Sequence, residues 1–307
     1  MRFFLCEEEF FLGADLHCHT RLSDGSMGID SLIILAKKQG IKTIAITDHD
    51  CLAANVRGKR LGEQHGVTVL PGVELSACDV ERGRKAHLLC YLPDSPDRLE
   101  GLCRRNLLES KKASQYMILK TCIQYPVTPE FILKCATGST GVYKQHIMHA
   151  MMESGLSDRI YSDLYTTLFS KESENNVLRE AKYPPAKEIV EAIHDAGGIA
   201  VLAHPALYDN FELLEELIPE GLDGVEVWHP SASEADIAKL TQIAKKHGLL
   251  MTGGSDFHGM YGVGNVTVGS CQTPQANLDE LLSYKTRKRR QQTRAAKAAA
   301  KKDEAEE

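Results

Sequence analysis

The chain has 307 residues, of which 43% are hydrophobic and 25% charged, with a formal net charge of -6. These values describe an ordinary globular protein with enough apolar side chain for one large domain or two smaller ones. They exclude a general attraction to nucleic acid or anionic lipid, and no apolar run approaches the roughly 20 residues that span a bilayer.

The opening stretch, MRFFLCEEEFFLGAD, is apolar in patches, but Glu7 to Glu9 interrupt any signal-peptide core, so a cytoplasmic protein is expected. Nine cysteines are scattered without a CxxC pair, as in a chain kept reduced. Cys18, Cys51 and Cys90 lie in or beside apolar runs, where a thiol behaves as a small hydrophobe.

FLGADLH predicts a first strand, and SLIILAKKQG a helix with Leu32, Ile33 and Ala36 on one face and Gly40 at its end. KTIAIT predicts a second strand, followed by a helix over Ala53 to His65. VTVLPGVEL and KAHLLCYL read as strands joined by a hairpin-like loop, DVERGR. The alternation resumes with KEIVEAIHDAGG, IAVLAH, FELLEELI, GVEVWH, SEADIAKLTQIAKKHG and LLMTGGSDFH, where Ser233 and Asp236 form a capping-box pattern. About seven strands in β-α order predict a parallel α/β sheet or barrel.

Residues 97–183 break that order. They are mostly helical in pattern (LLESKKASQYMILKTCI, QHIMHAMMESG), with loops rich in Thr, Gly, Ser and Asn, and read as a small inserted α-helical domain. Barrel parts are thus expected at 1–96 and 184–284. The remainder, 285–307, is a low-complexity tail, basic and then acidic, expected to be solvated, disordered or a fraying helix.

His, Asp and Glu gather at the strand ends facing one mouth, which in a (β/α) barrel is where active sites assemble. His17 and His19 close the first strand, Asp48 and His49 the second, and Glu74 the third. His87 lies within the fourth, and His204, His229, Asp256 and His258 end the later ones. A lone strand-end histidine such as His229 reads as a hydrogen-bonded structural residue. Cys18, between two histidines, reads as the opposite face of its strand. The joint pattern is different, because imidazoles and carboxylates crowded without a cation are strongly destabilising. Imidazole and carboxylate ligands without thiolate suit Mn, Fe or Zn with open positions, and Glu74 sits where it can bridge two ions.

Taken together, DLHCHTRLSDG, TDHD, GVE, HLLCY, AHP and GSDFH resemble the motif set of the PHP (polymerase and histidinol phosphatase) domain, over about residues 13–96 and 184–270. The resemblance implies a distorted (β/α)7 barrel holding three divalent ions, manganese first with zinc or iron as alternatives. His17, His19, Glu74 and Asp256 would hold the first ion. Glu74, His87 and His204 would hold the second, and Asp24, His49 and His258 the third. Every position carries the expected residue type, against a degenerate metal-free PHP domain. Asp15 and Asp48 precede ligand histidines and read either as acceptors that fix imidazole tautomers or as ordinary turn acceptors.

A His/carboxylate cluster with no Ser, Cys or Lys nucleophile motif favours phosphoester hydrolysis by metal-activated water, with Asp256 or His204 relaying protons to the leaving oxygen. The insertion resembles that of the PHP subgroup acting on nucleotides, which implies nucleoside 3′,5′-bisphosphates or short 5′-phosphorylated RNA as substrates. An Arg-x-His phosphate clamp of that subgroup would correspond here to Lys144 and His146, in YKQH, with lysine lacking the bidentate fork of arginine. Lys182 is a further candidate phosphate contact. The alternatives are a histidinol-phosphatase-like enzyme, an amidohydrolase (against which the SDG and TDHD motifs speak) and a non-catalytic nucleic-acid-binding protein using the basic tail. No membrane association and no obligate protein partner are expected.

Overall fold

Seven strands alternate with helices in the computed structural model, which describes residues 13–306. The N-terminal acidic triplet lies outside the described residues. The first arm contains β1 (Ala14–Cys18), α1 (Ile29–Lys38), β2 (Thr43–Ile46), α2 (Ala54–His65), β3 (Thr68–Asp79) and β4 (Arg84–Tyr91). Four helices follow, α3 (Glu100–Gln124), α4 (Pro129–Cys135), α5 (Lys144–Glu153) and α6 (Asp163–Phe169). The second arm contains α7 (Ala186–Asp195), β5 (Ile199–Leu202), α8 (Pro205–Tyr208), α9 (Phe211–Leu217) and β6 (Gly224–Trp228). It ends with α10 (Glu234–His247), β7 (Leu250–Gly253) and α11 (Gln275–Glu306).

The strands pair in sequence order from β1 to β7. Isolated bridges from Cys18 to Phe257 and from Ala14 to Thr273 draw the two edges together, so the barrel is nearly closed. The sheet departs from the predicted parallel arrangement at β4, which runs antiparallel to both β3 and β5. The cause is local: the turn between Asp79 and Arg84, with Gly83 at φ +61°, is a hairpin, and hairpins join antiparallel neighbours. Because β4 needs a partner along its length, β3 continues past Glu74 to Asp79, and Glu74 sits in mid-strand instead of at a strand end.

Small and aliphatic side chains fill the barrel interior, among them Leu16, Ala45, Leu89, Val201 and Ala203, and Leu278 and Leu281 of α11 pack against them. Ala14, Ile199 and Leu250, the first residues of their strands, belong to the same cluster, so α11 plugs the end away from the mouth. Asp223 pins it there, accepting from Tyr284 Oη (2.7 Å), Lys288 Nζ (2.8 Å), His194 Nε2 (2.8 Å) and the Ala200 amide (3.0 Å). The charged tail therefore continues a helix rooted opposite the mouth, to Glu306. Outside the barrel, α1 and α2 cover β2 and β3 through Leu32, Ile33 and Ala54, and Cys18 packs in that layer as the far face of β1. The capping box at α10 forms as predicted, with reciprocal bonds between Ser233 and Asp236. No helix among the described residues is long and apolar enough to cross a membrane.

Helices α3 to α6 have their own core, built on Ile118, Ile132, Ile147, Met148, Leu168 and Phe169. Two sets of bonds seat them over the barrel mouth. Thr140 N donates to Leu22 O (2.9 Å), and Asn106 Nδ2 donates to Asp50 Oδ1 (2.7 Å) and Ser76 O (2.9 Å).

Candidate metal centre

Between Asp15 and Cys18 the β1–β2 register shifts, and His17 and His19 both come to face the mouth. There they meet Glu74 of β3: His17 Nε2 and His19 Nε2 lie 3.2 and 3.1 Å from Glu74 Oε2. Asp256 Oδ1, from the turn after β7, lies 3.5 Å from His17 Nε2 and 3.1 Å from His19 Nε2. The other Glu74 oxygen faces His87 Nδ1 (2.8 Å) and His204 Nε2 (2.9 Å). A third group gathers around Asp24 Oδ2, with His258 Nε2 at 3.2 Å and His49 Nε2 at 3.7 Å. All nine residues assigned by motif thus converge on one patch, with Glu74 at its centre.

Ligand-capable atoms fall into compact sets of His17, His19, Glu74 and Asp256, of His19, Asp24, His49 and His258, and of His49, Glu74 and His87, each within 4.8 Å. His204 joins the last group through its contacts with Glu74 and His87. His17 Nε2, His19 Nε2, His49 Nδ1 and Glu74 Oε2 are buried without a hydrogen-bond partner. Orphaned polar atoms of this kind cost free energy unless a cation occupies the space they face, so the donor set fits divalent metal.

Titration behaviour carries the same frustration. Burial pushes the His19 imidazole down, but bonds to Asp256 and Glu74 override it and raise its pKa to about 10. At His49 burial prevails and holds the pKa at about 4. For Asp24, burial is outweighed by the charges of His258 and His49, and its carboxyl lies far below the usual range. Neighbouring imidazoles are thus shifted in opposite directions, His19 upward by the carboxylates and His49 downward by burial, and protons alone do not satisfy the cluster.

Residues behind the ligands hold them in place. Glu226, in β6, is fully buried and accepts from His17 Nδ1 (3.0 Å) and from the His204 backbone amide (2.9 Å). His229 Nδ1 accepts from the Ser231 amide at 3.1 Å, so the proton of the neutral ring is on Nε2, 3.3 Å from Asp256 Oδ2. The expected hydrogen-bonded role of His229 is therefore seen, with a metal-site carboxylate as its partner. Asp15 and Asp48 resolve as loop acceptors. Asp15 binds the amides of His17, Ser255 and Gly269 and the Ser255 hydroxyl, and Asp48 binds Thr20 and Ser23. Neither bonds an imidazole directly. A lone glutamate inside GVEVW carries no motif, and Glu226 was legible only as a carboxylate on the inward face of an apolar strand.

The cluster floors a cleft of about 420 Å³ whose walls include Tyr161, Tyr165, Tyr208, Leu207 and Val263. A second lobe of about 220 Å³ shares Asp24, His49 and His87 with it and carries Lys85, Lys144 and Arg179. Of its two carboxylates, Asp24 belongs to the His/carboxylate cluster and Glu180 is paired with Lys171 at 3.0 Å. Neither Lys85 nor Lys144 forms an ion pair among the described residues. Burial lowers both ammonium groups, with the charge of Lys171 adding at Lys85 and that of Lys85 adding at Lys144, which falls to about 8. Of the sequence-predicted substrate contacts, Lys144 faces the lobe. His146 does not: its Nδ1 accepts from the Tyr143 amide (3.1 Å) as a helix cap, and its ring lines a separate cavity. Lys182 lines a cavity beside Arg84 that none of the nine cluster residues reaches. Lys85 and Arg179, inconspicuous in sequence, occupy the lobe instead.

The sequence profile of the PHP domain matches residues 15–202. A phosphoribosyl 1,2-cyclic phosphate 1,2-diphosphodiesterase of Eggerthella lenta is 37% identical over 251 residues, 81% of this chain and 95% of the relative. A 3′,5′-nucleoside bisphosphate phosphatase of Chromobacterium violaceum is 29% identical over 254 residues, 80% of this chain and 86% of the relative. The crystal structure of a candidate metal-dependent phosphoesterase from Bifidobacterium adolescentis superposes with a TM-score of 0.80 at 29% identity, covering 88% of this chain and 95% of that one.

Proposed function

The chain belongs to the PHP-domain family and is a metal-dependent phosphoesterase, and from that premise we propose that its substrate is a nucleotide carrying two phosphate groups. One phosphate is hydrolysed at the His/carboxylate cluster while the other rests in the lobe of Lys85, Lys144 and Arg179. The observation that carries this reading is the pair of half-buried lysines without carboxylate partners, opening onto the ion cluster. Two like charges held out of water call for an anion between them.

His17, His19, Glu74 and Asp256 would hold one divalent ion, Glu74, His87 and His204 a second, and Asp24, His49 and His258 a third, with manganese the expected occupant. When bound, such ions neutralise phosphoryl charge and make water a competent nucleophile at neutral pH. The chain's own groups do the rest. The attacking water forms a new P–O bond as the ester P–O bond breaks, and the departing alkoxide takes a proton. Asp256, steadied at Oδ2 by His229, and His204 are the groups placed to carry a proton from the attacking water to that alkoxide. His204 Nε2 is committed to Glu74 and His87 and its Nδ1 is buried without a hydrogen-bond partner, so Asp256, partly exposed to the cleft, is the better placed of the two. The tyrosines of the larger cleft supply flat apolar surface for a base and ribose.

A second reading follows from the relative at 37% identity, a phosphoribosyl cyclic phosphate diesterase. There the lysine lobe would hold the sugar phosphate and the aromatic cleft would be left without a base. Metal analysis of the purified protein with a substrate panel separates the two. Adenosine 3′,5′-bisphosphate, 5′-phosphorylated and 5′-hydroxyl RNA, histidinol phosphate and a phosphoribosyl cyclic phosphate belong in it. Hydrolysis of adenosine 3′,5′-bisphosphate at least about tenfold faster than 3′-AMP is expected. Equal rates would remove the two-phosphate reading, and a preference for the base-free diester would establish the second.

A further inference from the structure

Glu226 reaches two groups of ligands at once. It lies in the middle of β6, whose neighbouring Val225 and Val227 turn to the outer apolar layer, and it has no solvent exposure. Its oxygens are divided between two acceptor tasks. Oε1 accepts from His17 Nδ1 at 3.0 Å, and Oε2 accepts the His204 backbone N–H at 2.9 Å, lying also 3.2 Å from His17 Nδ1.

The first bond fixes a tautomer. An ionised carboxylate only accepts, so the His17 proton must sit on Nδ1, which leaves the Nε2 lone pair facing Glu74 and Asp256. The second bond holds a backbone. His204 has φ +27°, ψ +59°, a conformation that L side chains rarely adopt, and its amide is tied to Glu226. From that backbone its ring places Nε2 2.9 Å from Glu74 Oε1. His17 and His204 belong to different ion sites.

We propose that Glu226 is a positioning residue that couples two ion sites, one carboxylate setting the ring of a ligand in each, so that the two sites fill as a linked pair. The proposal rests on the ion-holding role assigned above to His17 and His204. A glutamine in place of Glu226 has the same shape but one acceptor. If its amide oxygen serves His204, its NH2 faces His17 and forces the ring to carry its proton on Nε2, where the ion should be. If the oxygen serves His17, the NH2 opposes the His204 amide and releases the strained backbone.

The test is calorimetric titration of Mn2+ into metal-free protein, with bound ions counted by elemental analysis, for the native chain, E226Q and E226D. The native protein is expected to fill the two sites in one concerted step. E226Q should lose about 10–100-fold in affinity at one of them while the ion at Asp24, His49 and His258 stays. E226D, a methylene shorter, should lose both. Histidine 15N resonances of the native zinc-loaded protein give a second readout that no folding defect can obscure, and they should show His17 protonated on Nδ1. Native affinities and stoichiometry in E226Q, or a proton on His17 Nε2 in the native protein, would overturn the role of Glu226. A native protein that takes up no ion in any titration would instead overturn the metal-centre reading and this role with it.

Discussion

Lys144 offers the sharpest test of how the substrate is chosen. Burial, then the charge of nearby Lys85, brings its ammonium pKa down from 10.5 to about 8. At pH 7 it is therefore charged, and as pH rises through 8 it loses the proton and with it the attraction for a phosphate. A hydrogen bond to a charged group contributes about 1.5–3 kcal/mol, which is roughly a 10- to 150-fold change in kcat/KM. Lys144→Met should lower kcat/KM for adenosine 3′,5′-bisphosphate at pH 7 by that factor. It should change hydrolysis of bis-p-nitrophenyl phosphate, which has no second phosphate, by less than about threefold.

The pH profile gives an independent readout of the same charge. In the native enzyme kcat/KM for the bisphosphate should fall above about pH 8. In kcat the fall should come at higher pH, because bound phosphate favours the ammonium form. Lys144→Arg keeps its charge throughout and should remove this alkaline limb while retaining discrimination between the two substrates. Equal slowing of both substrates in Lys144→Met, or a native alkaline limb in Lys144→Arg, would refute a phosphate-binding role for Lys144.

Three further outcomes are expected. Asp24→Asn should cost one bound ion per chain, counted by elemental analysis, and reduce turnover by more than it weakens the ion on His17 and His19, since Asp24 Oδ2 faces His258 and His49. Gly254→Ala places a methyl group against the His17 backbone and Cβ, and should abolish ion binding or folding, read by elemental analysis and thermal melting. Asp223→Asn should loosen α11 from the barrel base. Burial raises the Asp223 carboxyl, but bonds from His194, Lys288, Ala200 and Tyr284 outweigh it and lower its pKa from 3.8 to about 2. That depressed value contributes roughly 2 kcal/mol above pH 4, lost as pH falls from 4 through 2. In urea titrations of metal-free protein the gap between native and variant should therefore narrow over that window, and a gap independent of pH would disprove the carboxylate's role.

The ligands were legible because each sits in a short motif whose residues are neighbours in sequence, such as HCH, TDHD and SDFH. The supports were not, because their partners are remote. Glu226 meets His17 across 209 positions, and nothing within GVEVW marks it apart from one charge among valines. The reversal of β4 was half visible, in the hairpin-like DVERGR, yet its consequence for Glu74 depends on how far β3 must run to pair with β4. His146 shows the opposite failure. Its place beside Lys144 suggested a shared phosphate, but successive helical residues point in different directions, and the fold uses His146 to cap its own helix.

The fold divides labour between barrel and insertion in a way that explains why one family covers several substrates. All nine residues of the His/carboxylate cluster belong to barrel segments, and Asp15, Asp48, Glu226 and His229 steady His17, Asp256 and the loops beside them. Lys144, Tyr161 and Tyr165 come from the insertion or its loops, and Arg179 from the segment returning to the barrel. Of the lobe's basic side chains Lys144, Arg179 and Lys85, only Lys85, on β4, comes from a barrel strand. Changes at Lys144 or Tyr165 can therefore redraw the lobe and the cleft far in sequence from any residue of the cluster, whereas a change at Lys85 acts two residues from His87. Substitution of Lys85 should consequently alter both ion affinity and substrate preference, while substitution of Arg179 should alter preference alone. Ion titration run beside the two-substrate assay separates these results, and loss of ion binding in an Arg179→Gln variant would refute the division.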